Sequence, residues 1–230
     1  MKTRLARRDF IGAAGAAMVA AGTAAAQESG AAAKGIKIVA VSCSYRKGKT
    51  TAAALQACLD AAKEAGPGIE VELIELAGLR IPGEPIVGAP VPAGQEDDFP
   101  KVAEKLADPK VAGILVGSPV YFNAMSSLCK LFLDRCGVFR KSFALANKVG
   151  GAVAVGAARN GGQELTIQAI HAVMACHEMV VVGTGRPTGR LGATLVNQDD
   201  GIAGDTFGLA TAKDLGRRVA EAALKMAGAK

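Results

Sequence analysis

Apolar and polar positions divide the chain into short buried runs that alternate with amphipathic stretches. Residues 36–41 form a nearly unbroken apolar run and predict a strand. A helix is expected over 50–65, closed by Gly66-Pro67-Gly68. Residues 69–76 alternate, with Val71, Leu73 and Leu76 set around Glu70, Glu72 and Glu75, which suits a less buried strand at a sheet edge. A Pro/Gly-rich loop covers 79–94, and a helix over 98–106 follows with Asp97 or Asp98 as its cap. Residues 111–116 carry no charge and predict a strand buried on both faces, ended by the turn cluster Gly117-Ser118-Pro119. After it come a helix over 125–136, a strand over 149–156, a helix over 162–176 and a fifth strand over 179–182. A loop over 184–205 leads into a last helix, 207–226.

Strands that alternate with helices predict a doubly wound α/β domain, because parallel neighbours need right-handed helical crossovers. No internal repeat or long linker interrupts residues 36–228, so they read as one domain. Tryptophan is absent and aromatics are few, which leaves Val, Ile, Leu and Ala to build the core. Open α/β sheets bind ligands at the carboxyl ends of their strands, and three loops at those ends carry the candidate chemistry.

The first loop, 42–51, opens a helix, whose N-terminal amides favour an anion. Ser44, Thr50 and Thr51 offer hydroxyls, Gly48 allows close approach, and Arg46, Lys47 and Lys49 bring positive charge. Gly48-Lys49-Thr50 also resembles the end of a Walker A motif. Cys43 stands where that motif needs a glycine, and no strand ends in the acidic residue that magnesium requires. For this loop taken alone, a cationic turn without a ligand is the default. The second loop offers Ser118, Pro119, Val120, Tyr121, Phe122 and Asn123, with Tyr121 or Phe122 placed beside a ring ligand or, alternatively, filling an interface or core edge. In the third, Ala157, Ala158, Arg159, Gly161 and Gly162, the glycines let the backbone turn beneath a planar ligand and Arg159 opposes negative charge on it.

Gly117-Ser-Pro-Val-Tyr-Phe122, with Lys130, Phe132, Asp134 and Arg135 on the next helix, resembles the flavin-contacting segment of the flavodoxin-like NAD(P)H-dependent FMN reductases. The first loop matches that family's phosphate loop at Ser44, Arg46, Lys47, Gly48 and Thr51 and departs from it at Cys43, Tyr45, Lys49 and Thr50. The third loop is similar to the family's Arg-x-Gly-Gly-Gln-Glu, and the likeness extends to Leu215–Glu221. The resemblance implies a three-layer flavodoxin-like fold with a five-stranded parallel sheet in the order 2-1-3-4-5. It also implies FMN as cofactor, NAD(P)H as a possible donor, and a small redox substrate such as a quinone. Homodimers or homotetramers, in which a neighbouring chain completes each site, belong to the same expectation. The flavin would carry the chemistry, so no catalytic side chain is assigned. Some relatives are iron–sulfur flavoproteins with cysteines between the second strand and second helix. Residues 79–98 hold none here, and no iron–sulfur cluster is expected there. An FMN-binding electron carrier without nicotinamide turnover, or a cofactor-free interaction protein, are the alternatives.

Ahead of the domain, Arg7-Arg8-Asp9-Phe10-Ile11 and a Gly/Ala-rich run to Ala26 read as a twin-arginine export signal, with Ala6 in place of the usual Ser or Thr. Ala24-Ala25-Ala26 offers a cleavage site, which leaves 27–35 as a flexible mature N-terminus; an uncut membrane anchor is the alternative. The run is weakly hydrophobic for a span that needs about 20 apolar residues. This reading implies the twin-arginine translocase as a partner and a periplasmic location. The leader holds Lys2, Arg4, Arg7 and Arg8 against Asp9, or +3 of the chain's +6, so the domain's share is +3. No basic stripe with interleaved aromatics is present, which argues against nucleic acid. The cysteines lack CxxC spacing, so zinc and thioredoxin-like chemistry are not indicated, and an odd number leaves at least one thiol free. Cys129 and Cys136, two helix turns apart, lie about 10 Å from each other and read as core. Loop amides could lower the Cys43 thiol pKa, although a small residue replacing glycine explains Cys43 better. His171 and His177 read as packing or surface residues. Arg186, Arg190, Asp199 and Asp200 lie in the long loop, which covers the ligand, a partner chain or only solvent.

Overall fold

Side chains of the central strands alternate between two apolar cores, and this two-faced burial produces their uncharged sequences. The structure, a computed structural model, describes residues 35–228, so the export signal and residues 27–34 lie outside the described residues. The strands are β1 (Ile36–Ser42), β2 (Ile69–Glu75), β3 (Val111–Tyr121), β4 (Ala124–Met125), β5 (Val149–Gly156), β6 (Val180–Val181) and β7 (Ala193–Val196). The helices are α1 (Thr50–Glu64), α2 (Phe99–Ala107), α3 (Ser127–Arg135), α4 (Gln163–Cys176) and α5 (Thr206–Gly228). Val39, Val41, Ile114 and Val116 face the core beneath α2, α3 and α4. Ile38, Ala40, Leu115 and Val153 face the core beneath α1 and α5. The result is a three-layer flavodoxin-like α/β fold with the sheet order β2-β1-β3-β5-β6. β2 lies at the edge, as its alternating glutamates require.

The path of five parallel strands keeps the expected order, and two details add to it, bringing the described sheet to seven strands. First, Gly117-Ser118-Pro119 is not a turn: β3 continues through it to Tyr121, pairing Pro119 with Val155 of β5. The Gly117 carbonyl accepts from Cys43 on the β1 side at 2.8 Å, and residue 119 faces the same way. The parallel register puts the Cys43 carbonyl opposite residue 119, and that carbonyl accepts from the Ser126 hydroxyl at 2.7 Å, so the N–H that proline lacks leaves no acceptor unmet. The turn comes at Phe122 and Asn123, both at positive φ (50° and 62°), and β4 returns antiparallel. Such a pair of left-handed residues is the favoured two-residue hairpin connection.

Second, the fifth position in the sheet is filled twice. β6 pairs with β5 at Val149 and Gly150, the chain leaves the sheet, and β7 returns to pair parallel with Val153–Gly156. Residues 184–205 therefore contain a strand where a plain loop was expected. The excursion is pinched closed by Thr184, whose N–H donates to the Arg190 carbonyl at 2.9 Å and whose hydroxyl accepts from the Arg190 N–H at 2.7 Å.

Candidate functional site

The loop after β1 reaches the N-terminus of α1, and its conformation comes from small residues held at fixed points. Gly48 sits at φ +66° with open space where a side chain would stand. Ser44 is buried, and its hydroxyl accepts from the Arg46 N–H at 3.1 Å. Thr50 and Thr51 are 5% and 1% exposed, yet neither hydroxyl has a hydrogen-bond partner among the described residues. The first amides of α1 likewise lack acceptors within the helix, since its hydrogen bonding begins with Ala53 donating to Lys49. Tyr45 is exposed and bonded through its hydroxyl to the Ser127 hydroxyl at 3.1 Å. Lys47 points into solvent, whereas Arg46 and Lys49 are both engaged by Asp200, at 2.5 and 2.7 Å. The Gly48 N–H donates to Glu75 at 2.7 Å.

At Cys43 the structure favours the small-residue reading over an activated thiol. Burial, then a contact with the Cys129 thiol, pushes its pKa well above the ordinary thiol value. It is a core residue of small volume, and the loop amides do not activate it. All five cysteines are free, and Cys129 and Cys136 belong to the same core. His171 and His177 fit the packing expectation, with burial lowering the pKa of both.

The hairpin between β3 and β4 presents Tyr121, half exposed, and Phe122, fully exposed, at its tip. The Ser118 hydroxyl is taken up within the protein. It is fully buried, accepts from the Ser126 N–H at 2.9 Å and donates to the Pro119 carbonyl at 2.8 Å. Ser126, which the sequence reading missed, caps α3 by accepting from the Cys129 N–H at 3.1 Å and donates to the Cys43 carbonyl at 2.7 Å. Ser118 and Ser126 thus tie the first loop to the hairpin. The visible signal was a serine three residues ahead of a helical amide, the ordinary cap spacing.

Ala157 and Ala158 begin the third loop, and Gln163 shapes it. Its side chain is fully buried, donates to the Ala158 and Leu195 carbonyls at 2.6 and 3.2 Å and accepts from Gly161 at 2.9 Å. Gly162, at φ +95°, packs against Asn123, where a Cβ would collide with that residue's backbone and side chain. The second and third loops therefore meet at this glycine. Arg159 turns away from that junction, donating to the Thr194 carbonyl at 3.0 Å and pairing with buried Asp205, above the ring of Phe207. It anchors the loop to β7 and α5.

The three candidate loops converge at the carboxyl edge of β1, β3 and β5. Beside them lies a cleft of about 690 Å³ lined by Tyr45, Leu79, Arg80, Ile81, Leu128 and Leu131 among others. Its volume falls in the range that takes small organic molecules. Arg135 braces its floor through the Pro82 carbonyl at 2.6 Å.

A family model described as NADPH-dependent FMN reductase matches residues 36–189. An iron-sulfur flavoprotein of Methanocaldococcus jannaschii is 41% identical over 192 residues, covering 81% of this chain and 96% of that protein. An NAD(P)H dehydrogenase (quinone) of Chromohalobacter salexigens is 32% identical over 178 residues, covering 70% of this chain and 85% of that protein. Among solved structures, a flavodoxin, WrbA-like protein from Agrobacterium tumefaciens shares the fold at a TM-score of 0.58 and 19% identity, over 84% of this chain and 99% of that one.

Proposed function

Because the chain belongs to the NADPH-dependent FMN reductase family, we propose that it is an exported flavoprotein passing electrons from NAD(P)H or another donor to a quinone or other small acceptor. The family makes it an FMN-dependent oxidoreductase; the donor, the acceptor, the place and the residues of the site are the proposal. The observation that carries the site is the pair of hydroxyls on Thr50 and Thr51, residues only 5% and 1% exposed, which have no described partner beside the free amides of α1. A phosphate ester would accept from both hydroxyls and from the amides together. The open space at Gly48 leaves room for it. When bound, FMN supplies the electron chemistry, and the protein's part is to position it and govern access. The hairpin tip, Tyr121–Asn123, and the 157–162 loop meet at Gly162 and offer backbone groups to the ring. The cleft beside Tyr45 gives an acceptor room. Export separates the protein from the cytoplasmic nicotinamide pool, so a quinol or a redox protein serves as donor in the periplasm.

Flavin-fluorescence quenching tests the site. One FMN should bind per chain, more tightly than riboflavin, and Thr51→Glu should weaken FMN while changing riboflavin less. Equal affinity for the two flavins, or binding of neither at micromolar concentration, would overturn the assignment of the phosphate loop. Light scattering on the loaded protein should give a dimer or tetramer. Oxidation of NADPH or NADH with a quinone separates a reductase from an electron carrier, which would bind FMN without nicotinamide turnover.

A further inference from the structure

An anion subsite with Arg46, Lys47 and Lys49 in its loop would ordinarily hold a phosphate by charge. Here Arg46 Nη1 reaches Asp200 Oδ1 at 2.5 Å, and Lys49 Nζ reaches Asp200 Oδ2 at 2.7 Å, so one carboxylate bridges both cations. Asp200 comes from the far end of the chain and is aimed by its own turn. Gln198 and Gly201 exchange two backbone hydrogen bonds of 2.8 Å, with Asp199 and Asp200 between them at φ 48° and 63°. The Asn197 N–H, donating to the Gly156 carbonyl at 2.8 Å, fixes that turn to the end of β5. A second carboxylate, Glu75, takes the Gly48 N–H at 2.7 Å. Lys49 and then Arg46 hold the Asp200 carboxyl below the usual carboxylate range, so it stays charged throughout the neutral range. What remains for an incoming anion is the neutral set, Ser44, Thr50, Thr51 and the amides of α1, with Lys47 turned into solvent.

We propose that Asp200 is an internal counter-anion of the phosphate subsite, engaging Arg46 and Lys49 and offsetting one of their two charges, so that a phosphomonoester is held mainly by neutral donors and exchanges freely. The inference rests on the flavin reading for the identity of that ester, but its core concerns any phosphate at this loop. Without Asp200, two cations would be free to close on the dianion, and charge-assisted hydrogen bonds are about twice as strong as neutral ones. The flavin would then be retained, whereas the native loop lets it come and go. Asp200 is therefore a residue that sets selectivity and residence time, acting through Arg46 and Lys49.

The test is Asp200→Asn, which keeps a residue that tolerates positive φ, against Asp199→Asn as control. Asp199 sits in the same turn, carries the same charge and pairs with no described residue. Asp200→Asn should tighten FMN about ten-fold, the equivalent of about 1.4 kcal/mol, slow its release and steepen its salt dependence, with riboflavin unchanged. Asp199→Asn should do none of these. Inorganic phosphate, followed by the amide NMR shift of Gly48, should bind Asp200→Asn more tightly by a similar factor. If FMN binds both variants alike, or binds Asp200→Asn more weakly, the counter-anion role is overturned. If phosphate tightens as expected but no flavin binds, the counter-anion role stands and the flavin reading falls.

Discussion

Arg135 is a charged side chain only 4% exposed, and its surroundings show what is needed to keep it there. Its guanidinium meets both oxygens of Asp97, at 2.7 and 3.3 Å, donates to the Pro82 carbonyl and lies 4.6 Å above the ring of Phe99. Asp98 holds the N-cap position without a side-chain cap bond, and Asp97, one residue ahead, accepts from the Phe99 N–H at 3.0 Å. Removing one member of such a pair leaves an uncompensated buried charge, which costs about 3–5 kcal/mol. Asp97→Asn should therefore lower the urea midpoint strongly. Adding Arg135→Met should restore much of the loss, because the pair can give way to apolar packing. A double variant as unstable as the two single losses added together would show that the residues do not act as a pair. Arg135 was legible as one position of a helix motif, but its task was not. Its partners lie 38 and 53 residues away, a distance that periodicity does not bridge.

At the scale of elements, the alternation of strand and helix could be read because β1, β3 and β5 are buried on both faces and carry no charge apart from Lys37 near the start of β1. The overrun of β3 past Val116 could not. It depends on the Ser126 hydroxyl meeting the Cys43 carbonyl where Pro119 has no N–H to give, which is a property of neighbouring elements and not of one strand. β7 was hidden for a similar reason, since four residues become a strand only because β6 leaves half of β5 unpaired. The site followed the same division. Its loops were visible as Gly, Ser and Thr clusters, whereas the hydrogen bonds that join them through Ser126, Gln163 and Asp200 were not. Packing between α1 and α5 also rests on a pairwise contact. A Cβ on Gly216 would collide with the Cys58 carbonyl of α1, a backbone atom that cannot rotate aside. Alanine favours a helix over glycine by about 1 kcal/mol, but overpacking costs about 1–3 kcal/mol or more. Gly216→Ala should thus be destabilising in a denaturant titration, while Gly137→Ala, with open space around it, should be nearly neutral. A stabilised Gly216→Ala would mean that the two helices separate without loss.

Across the whole molecule, the candidate site exists only after folding. The segments 44–51, 118–123 and 157–162 and the turn at 198–201 are brought together by strands spread through the entire domain, so an unfolded chain has nothing to offer a flavin. A cofactor that binds the folded state alone also stabilises it, by an amount that grows with the ratio of ligand to dissociation constant. On the export proposal, loading in the cytoplasm suits a route that carries folded proteins, and Arg7-Arg8 followed by the Gly/Ala-rich run reads as the signal for that route. The leader contributes +3 of the chain's +6 through Lys2, Arg4, Arg7 and Arg8 against Asp9, which concentrates positive charge ahead of the apolar run. Replacing both Arg7 and Arg8 with lysine keeps that charge and removes only the guanidinium pair. The double variant should accumulate in the cytoplasm, folded and competent for flavin, with its leader attached, while the native chain reaches the periplasm. Fractionated cells probed for size and flavin content would show this. Export that continues unchanged in a strain lacking the twin-arginine translocase would refute the route, and with it the argument that the cofactor is acquired before crossing the membrane.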